Sequence, residues 1–448
     1  MRFFKRTQPK FQFGTELELF TLSKDGFVLN AAPKLINTIK KNFPKVEIQK
    51  EVGKNMIEIN SLPDANVPNA LEKMINQLEN ILYCAEKENL ILYPYGTYPG
   101  SYTPELNKDK KYTVKEQVFG KVRALHAARV IGLHCHYTLP WSVFDETKVL
   151  IRGLVPSKKK HSLINIYNLF IAMDPALSTF AQSSPFYQGR RMGKDARIIV
   201  YRGGKVLKNP QGVYANHPEF GGLPHYKATT EDLLELVKAR FETWTTIVKK
   251  LKINVRTIIE YGSLLSTSWN PIKINAHGTM EYRGMDANNP SVIVAIGLII
   301  KYCAREIQEE NLQVIVSKEA IKNPFKRRGN AILIPPHDYV YSYLQVKGAY
   351  EGFENEAVYK YCYNLFQFAK KVIPKDRYHL LDPLNKMLKE RKTTSDEIIR
   401  KAKILGYKKG KDLTNSQAAK LALMVSQDLY KDIVTTKQNL QLIRVKED

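Results

Sequence analysis

Three apolar segments of this chain each carry a pair of charged or imidazole side chains two residues apart. In QFGTELELFTL the pair is Glu16 and Glu18, in VIGLHCHYTL it is His134 and His136, and in GTMEYRGMD it is Glu281 and Arg283. A β-strand sends successive side chains to opposite faces, so each pair points one way. Leu17, then Leu133, Cys135 and Tyr137, then Met280 and Tyr282, point the other. A fourth segment, KEVGKNMIEINSL, brings Glu51 and Glu58 to either side of a Gly-Lys-Asn turn. The expected product is a sheet with one greasy face and one face loaded with acids and histidines. Like charges crowded on a buried face raise one another's pKa and oppose folding. A cation relieves that cost, and an oxygen-rich donor set with few nitrogens suits magnesium, with manganese as the alternative.

Each pair alone has a plainer reading. Glu16 and Glu18 fit the wet face of an edge strand. His134 and His136 fit a zinc site or a structural pair. Glu281 and Arg283 fit a surface ion pair. Taken together, on strands that end near glycine or proline, they point to one shared metal and phosphate site.

Periodicity sets these strands in an alternating order. Residues 11–22 read as a strand, 67–88 as an amphipathic helix, 90–94 as a strand, 114–130 as a helix and 131–139 as a strand. Residues 183–226 form a long connection dense in Gly, Pro and Arg, of the kind that is commonly functional or mobile. Residues 229–251 read as helical, 278–285 as a strand and 291–308 as an apolar helix. From Pro374 onward the segments become short, basic and amphipathic, with helices expected at 384–391 and 395–405. The expected division is a catalytic domain over 1–373 and a basic helical appendage over 374–448.

Composition narrows the class. With 448 residues and 44% hydrophobic content the chain can bury a large core. The four cysteines, Cys84, Cys135, Cys303 and Cys362, are scattered without CxxC spacing, which argues against a disulfide framework or a cysteine zinc site. The basic start MRFFKRTQPKFQ lacks an apolar signal core, and the run VIVAIGLII is too short to span a bilayer. A cytoplasmic location without membrane contact is the expectation. The net charge of +25 favours anionic partners such as nucleotides or acidic substrates.

The segments, in order, resemble those of the glutamate–cysteine ligase type 2 family of carboxylate–amine ligases, and more remotely glutamine synthetase. Gly14-Thr15-Glu16-Leu17-Glu18 is similar to the family's opening G-[VI]-E-x-E strand. Glu51 and Glu58 stand where its next acids lie. Gly96-Thr97-Tyr98-Pro99 resembles GTHP, Gly132-Leu133-His134-Cys135-His136 resembles GLHVH, and Ser183 to Arg190 resembles SSPFWxGR. Gly278 to Arg283, followed by Asp286, resembles GTLEVRxxD. The likeness spans roughly residues 11–310.

The resemblance implies an α+β fold of the glutamine synthetase type. A curved antiparallel sheet would form a funnel with helices on its outer face, and a helical C-terminal region would follow. It implies ATP and Mg2+ as cofactors, with Glu16, Glu18, Glu51, Glu58, His134 and Glu281 as ligands for two or three ions. His136 and Arg283 would contact the phosphates, and Glu281 and Arg283 would act in catalysis. Arg190 and Arg197 would bind the substrate carboxylate or close over it. Lys273 stands near where the family keeps an arginine that contacts phosphate, although a lysine lacks the bidentate fork. A glutamate-like carboxylate and an amine would be the substrates, joined through an acyl phosphate, and the protein would assemble as a homo-oligomer. Two rival readings keep the site but change its use. One is a metal-dependent phosphotransferase or hydrolase. The other is a scaffold that binds an acidic macromolecule, nucleic acid or protein, through its excess charge.

Overall fold

The computed structural model describes residues 11–140, 143–153, 157–254 and 264–444; most of the basic N-terminal stretch, residues 1–10, lies outside them. Its centre is an open antiparallel sheet. The strands are β1 (Phe13–Ser23), β2 (Ile48–Lys50), β3 (Met56–Asn60), β4 (Leu90–Tyr93), β5 (Gly132–Thr138), β6 (Ile272–Ile274) and β7 (Thr279–Asp286). They lie in the order β6-β7-β5-β1-β3-β2, and β4 also pairs with β1. The sheet is not closed into a barrel: β6 and β2 are its edges.

Register decides which side chains meet. Glu16 lies opposite His134 across β1 and β5, and Glu18 lies opposite Glu58 across β1 and β3. Glu281 lies opposite His136 on one side and Lys273 on the other. Directly opposed residues share a face, so all the sequence pairs converge on one surface. The pairing of β7 with β5 slips between Tyr282 and Met285, so Arg283 and Gly284 together oppose the one residue His134. This bulge re-aims the strand where Arg283 emerges.

The other face is apolar and covered by helices. Leu17, Leu19, Leu133, Cys135, Tyr137, Met280 and Tyr282 are fully buried there. Against them pack α2 (Val67–Lys87), α5 (Ser157–Ala181) and α8 (Pro290–Glu309), α1 (Ala32–Asn42) being the first helix of the chain. Each such side chain contributes about 1.5–3 kcal/mol on burial. One polar joint crosses this layer. Asp174 of α5, fully buried, takes Arg202 Nη1 at 2.6 Å and Nη2 at 2.8 Å, and accepts from Tyr282 Oη at 2.8 Å. Gly284 is required beside it, because a Cβ there would lie 2.6 Å from both the Arg202 guanidinium and Asp174 Oδ1.

Most elements fall where periodicity expects them. The single helix expected over 114–130 is instead two, α3 (Lys110–Phe119) and α4 (Lys121–Ala127), broken at Gly120 with φ +90°. The 183–226 connection is firmly held: it contains α6 (Ala196–Tyr201), and Ser183, Ser184 and Asp195 are fully buried within it. The helix expected over 229–251 is α7 (Thr230–Lys250), started by a Thr229–Asp232 capping box. Beyond it come α9 (Glu356–Val372), α10 (Asp382–Glu390), α11 (Thr394–Ile404) and α12 (Asn415–Arg444). Leu384, Ile398, Leu421, Val425, Leu429 and Ile433 of these last helices belong to the same continuous core as β1 and α2. Among the described residues no helix is long and apolar enough to cross a membrane.

Candidate active site

The acid and histidine side chains meet in a tight array. His134 Nδ1 lies 2.8 Å from Glu16 Oε2, and His136 Nε2 lies 3.2 Å from Glu16 Oε1. His134 Nε2 is 3.7 Å from Glu18 Oε1. Glu18 also accepts the Gly132 backbone N–H at 2.6 Å. Arg283 Nη1 donates to Glu281 Oε1 at 2.7 Å, and Asn275 Nδ2 to Glu281 Oε2 at 2.5 Å. Lys273 Nζ reaches to 4.0 Å from Glu281 and donates to the Ser268 carbonyl at 2.9 Å.

Three donor sets arise from this geometry: Glu16, Glu58 and His134; Glu16, His136 and Glu281; Glu18, Glu51 and Glu58. Within each, the ligand atoms lie within 4.8 Å of one another. All six residues expected to hold metal are included, and His136 joins them. Buried and without an aligned hydrogen bond, His134 Nε2 and His136 Nε2 are orphaned donors in a polar site. Such atoms are costly unless a ligand satisfies them. Mostly carboxylate, with two imidazoles, the set fits magnesium or manganese.

The charges are unevenly balanced. Burial would raise the Glu16 carboxyl, but the hydrogen bond with His134 and the adjacent His136 imidazole outweigh it and hold the group well below the usual range. Burial also opposes ionisation of Glu281, and the Arg283 and Lys273 cations reverse that. Burial lowers the Lys273 ammonium to about 8. At the other end burial pushes up Glu18, and burial with the neighbouring Glu51, Glu16 and Glu18 pushes Glu58 far up. That acid cluster therefore favours taking up a proton, or a cation in its place.

Two cavities open on this face and share Glu16. One, about 400 Å³, is bounded by Glu16, by apolar Phe13 and Pro63, and by polar groups including Asn60, Ser61, His136, Thr138, His277 and Thr279. The other, about 190 Å³, contains Glu18, Glu51, Glu58, His134, Arg197 and Arg283. Arg197, 4% exposed, enters from α6 and donates to the Arg283 carbonyl at 3.3 Å. Gly132 allows this approach: a Cβ there would sit 2.3 Å from Arg197 Nη2.

Arg190 is not brought to the site. It stands in a two-residue strand of a surface hairpin, its side chain 77% exposed and 3.5 Å from Asp412. The segments around it serve a different purpose. Ser184 Oγ donates to Asp286 at 2.7 Å, Ser183 N to the same carboxylate at 2.8 Å, and Gly96 N to Ser183 Oγ at 2.9 Å. Three of the sequence segments therefore form one buried joint beneath the sheet's end. Side chains that the sequence did not flag also line the smaller cavity: Tyr112 and Lys115 of α3, Tyr201 of α6 and Trp269. Lys115 Nζ lies 4.5 Å from the centre of the Trp269 ring. No strand alternation or paired spacing marks these residues, so no sequence signal could have found them.

The family model described as glutamate-cysteine ligase family 2 (GCS2) matches residues 12–327. A curated Chloroflexus aurantiacus protein provisionally named glutamate–cysteine ligase 2 is 23% identical over 159 residues. That alignment covers 35% of this chain and 35% of the relative, so the match spans about a third of the relative's length. Among solved structures, the bifunctional glutathione synthetase of Pasteurella multocida superposes with a TM-score of 0.56 at 12% identity, covering 94% of this chain and 53% of that one. Glutamate–cysteine ligase of Francisella tularensis, solved with AMP, superposes with a TM-score of 0.53 at 11% identity, covering 98% and 94%. These structures share the fold of the open antiparallel sheet backed by helices. With the family match extending over most of its length, the chain belongs to glutamate-cysteine ligase family 2.

Proposed function

We propose that the protein is an ATP-dependent carboxylate–amine ligase that forms an amide, with a glutamate-like molecule as the carboxylate. The observation that carries this reading is the set of three overlapping carboxylate and histidine clusters on one face of the sheet, flanked by Arg283, Lys273 and Arg197. Family membership supports it.

A free carboxylate is a poor acylating group because oxide does not leave. Activation by ATP solves this. A carboxylate oxygen attacks the γ-phosphorus, ADP leaves, and an acyl phosphate forms. The amine nitrogen then attacks the acyl carbon, loses a proton, and inorganic phosphate departs with the former carboxylate oxygen. Magnesium ions held by Glu16, Glu18, Glu51, Glu58, His134 and Glu281 would neutralise phosphate charge. Arg283, fixed by Glu281, is preorganised to stabilise charge on the moving phosphoryl group. His136, held through Nδ1 by Thr279 Oγ1 at 2.9 Å, presents its other nitrogen toward the shared wall of the two cavities. Arg197 supplies a buried guanidinium for the substrate carboxylate. The larger cavity is of the size that takes a small ligand and suits the nucleotide.

The test is a product assay. Purified protein is given ATP, magnesium, glutamate and a panel of amines, and products are read by mass spectrometry. The expected result is ADP whose formation requires both partners, with a new amide mass. ADP released equally without any amine, or a stable phosphorylated product, would replace the ligase reading with a hydrolase or a kinase.

A further inference from the structure

The loop that delivers Arg197 is held from outside the family-matched region. Lys194, three residues before Arg197, is only 2% exposed. Its ammonium pairs with Asp396, at the N-terminus of α11, and with Glu354 at 2.5 Å. Ser395 reinforces the contact: its hydroxyl donates to the Lys194 carbonyl at 2.5 Å, and its N–H donates to the Gln182 carbonyl at 3.0 Å. The backbone N–H groups of Lys194 and Asp195 both donate to the Ala349 carbonyl, at 2.8 and 3.0 Å. Asp195 then caps α6 by accepting from Ile198 N at 2.8 Å, and Ser184 Oγ accepts from Arg197 N at 3.2 Å. Each link runs through a named bond from residues 349–396 to the guanidinium in the smaller cavity.

We infer that Lys194, Glu354, Asp396 and Ser395 form a clamp through which the C-terminal region sets the position of Arg197.

 The clamp comprises the Lys194 ammonium, the Asp396 and Glu354 carboxylates that neutralise it, and the Ser395 hydroxyl. These are positioning residues, since none of them lines either cavity. A buried ammonium demands a fixed partner, and Asp396 is fixed in turn because its second oxygen accepts from Thr393 N at 2.9 Å in the capping box of α11. The first residues of α11 are therefore locked to the loop rather than free to fray. Thr394 Oγ1 ties the same turn to Asn288 Oδ1 at 3.2 Å, just beyond the end of β7. Residues 328–448 lie beyond the family match, yet this part of the chain decides how firmly the carboxylate-binding arginine is held. The inference rests on the proposed role of Arg197, and its test has one arm that does not need turnover.

The variants are Asp396→Asn, Glu354→Gln and, as a control, Lys437→Met, which breaks the pair between α12 and Glu79 of α2. Hydrogen exchange of the full-length protein is the first readout. Asp396→Asn should speed exchange across 183–201 by about tenfold while leaving 13–23 and 279–286 unchanged, and Glu354→Gln should do so more weakly because Glu354 is largely exposed. The control should leave 183–201 as it was. The second readout is kinetic: KM for the carboxylate should rise about tenfold in Asp396→Asn, with KM for ATP within twofold. Unchanged exchange at 183–201 in Asp396→Asn, or a uniform rise over the whole chain, would overturn the clamp. A parent protein without ligase turnover would remove the ligase reading and leave the exchange result to decide the clamp.

Discussion

Replacing Glu58 by Gln should stabilise the metal-free protein and sharply weaken its response to magnesium. Glu58 is 7% exposed, and its carboxylate belongs to two of the three donor sets. At the 4.8 Å limit of those sets, two ionised carboxylates repel by about 3.5 kcal/mol at an effective dielectric constant near 20. Protonation relieves part of that, because burial and the neighbouring acids already push the Glu58 pKa far up. The net gain from removing the charge should be about 1–3 kcal/mol in chelator. With magnesium at a hundred times its dissociation constant, the parent protein gains about 2.7 kcal/mol, and Glu58→Gln should gain less than a third of that. Urea denaturation with EDTA or with magnesium measures both numbers. A variant less stable than the parent in EDTA, yet equally stabilised by magnesium, would show that Glu58 is an ordinary buried acid and that the two donor sets containing it hold no cation.

Further outcomes follow from the same geometry. Arg197→Ala should raise KM for the carboxylate by at least tenfold, whereas Arg190→Ala should leave kinetics unchanged; steady-state assays of both variants check this. Asp174→Asn strands the buried Arg202 guanidinium and should cost about 3–5 kcal/mol, read by equilibrium denaturation. Metal-free stability should fall as pH rises above 4.5. Glu18 and Glu58 have raised folded pKa values, so their contribution is complete below the unfolded value of 4.5 and is lost as pH climbs through the folded ones. Asp286, raised to about 6 chiefly by burial, adds a loss between 3.8 and 6. Denaturation midpoints between pH 5 and 8, with and without magnesium, test this; the fall should shrink when the ion is present.

The site's ligands were legible in the sequence because strand alternation is a rigid rule. Once Glu16, His134 and Glu281 are placed on antiparallel neighbours, their two-residue partners must share the face. Register was not legible. The opposition of Glu18 to Glu58 and of Lys273 to Glu281 depends on long-range pairing that spacing does not specify. The bulge that aims Arg283 is equally non-local. Loop segments misled where a residue type stood for a role: Arg190 and Arg197 look alike in sequence, but a hairpin turns the first to solvent while a capped helix buries the second. The break at Gly120 was visible as a glycine, but a glycine alone does not end a helix. The long α12 was expected only as part of a helical region of short segments, although Leu421, Val425, Leu429 and Ile433 keep helical spacing along one buried stripe.

The most direct test of the central claim follows one oxygen atom. Glutamate labelled with ¹⁸O in its side-chain carboxylate is turned over with ATP, magnesium and the amine that supports ADP formation, and the released inorganic phosphate is weighed. Carboxylate activation predicts one ¹⁸O in each phosphate formed, and one retained in the amide. Phosphate that carries no label, released while ADP accumulates, would contradict it, because water rather than the carboxylate would then have attacked the nucleotide.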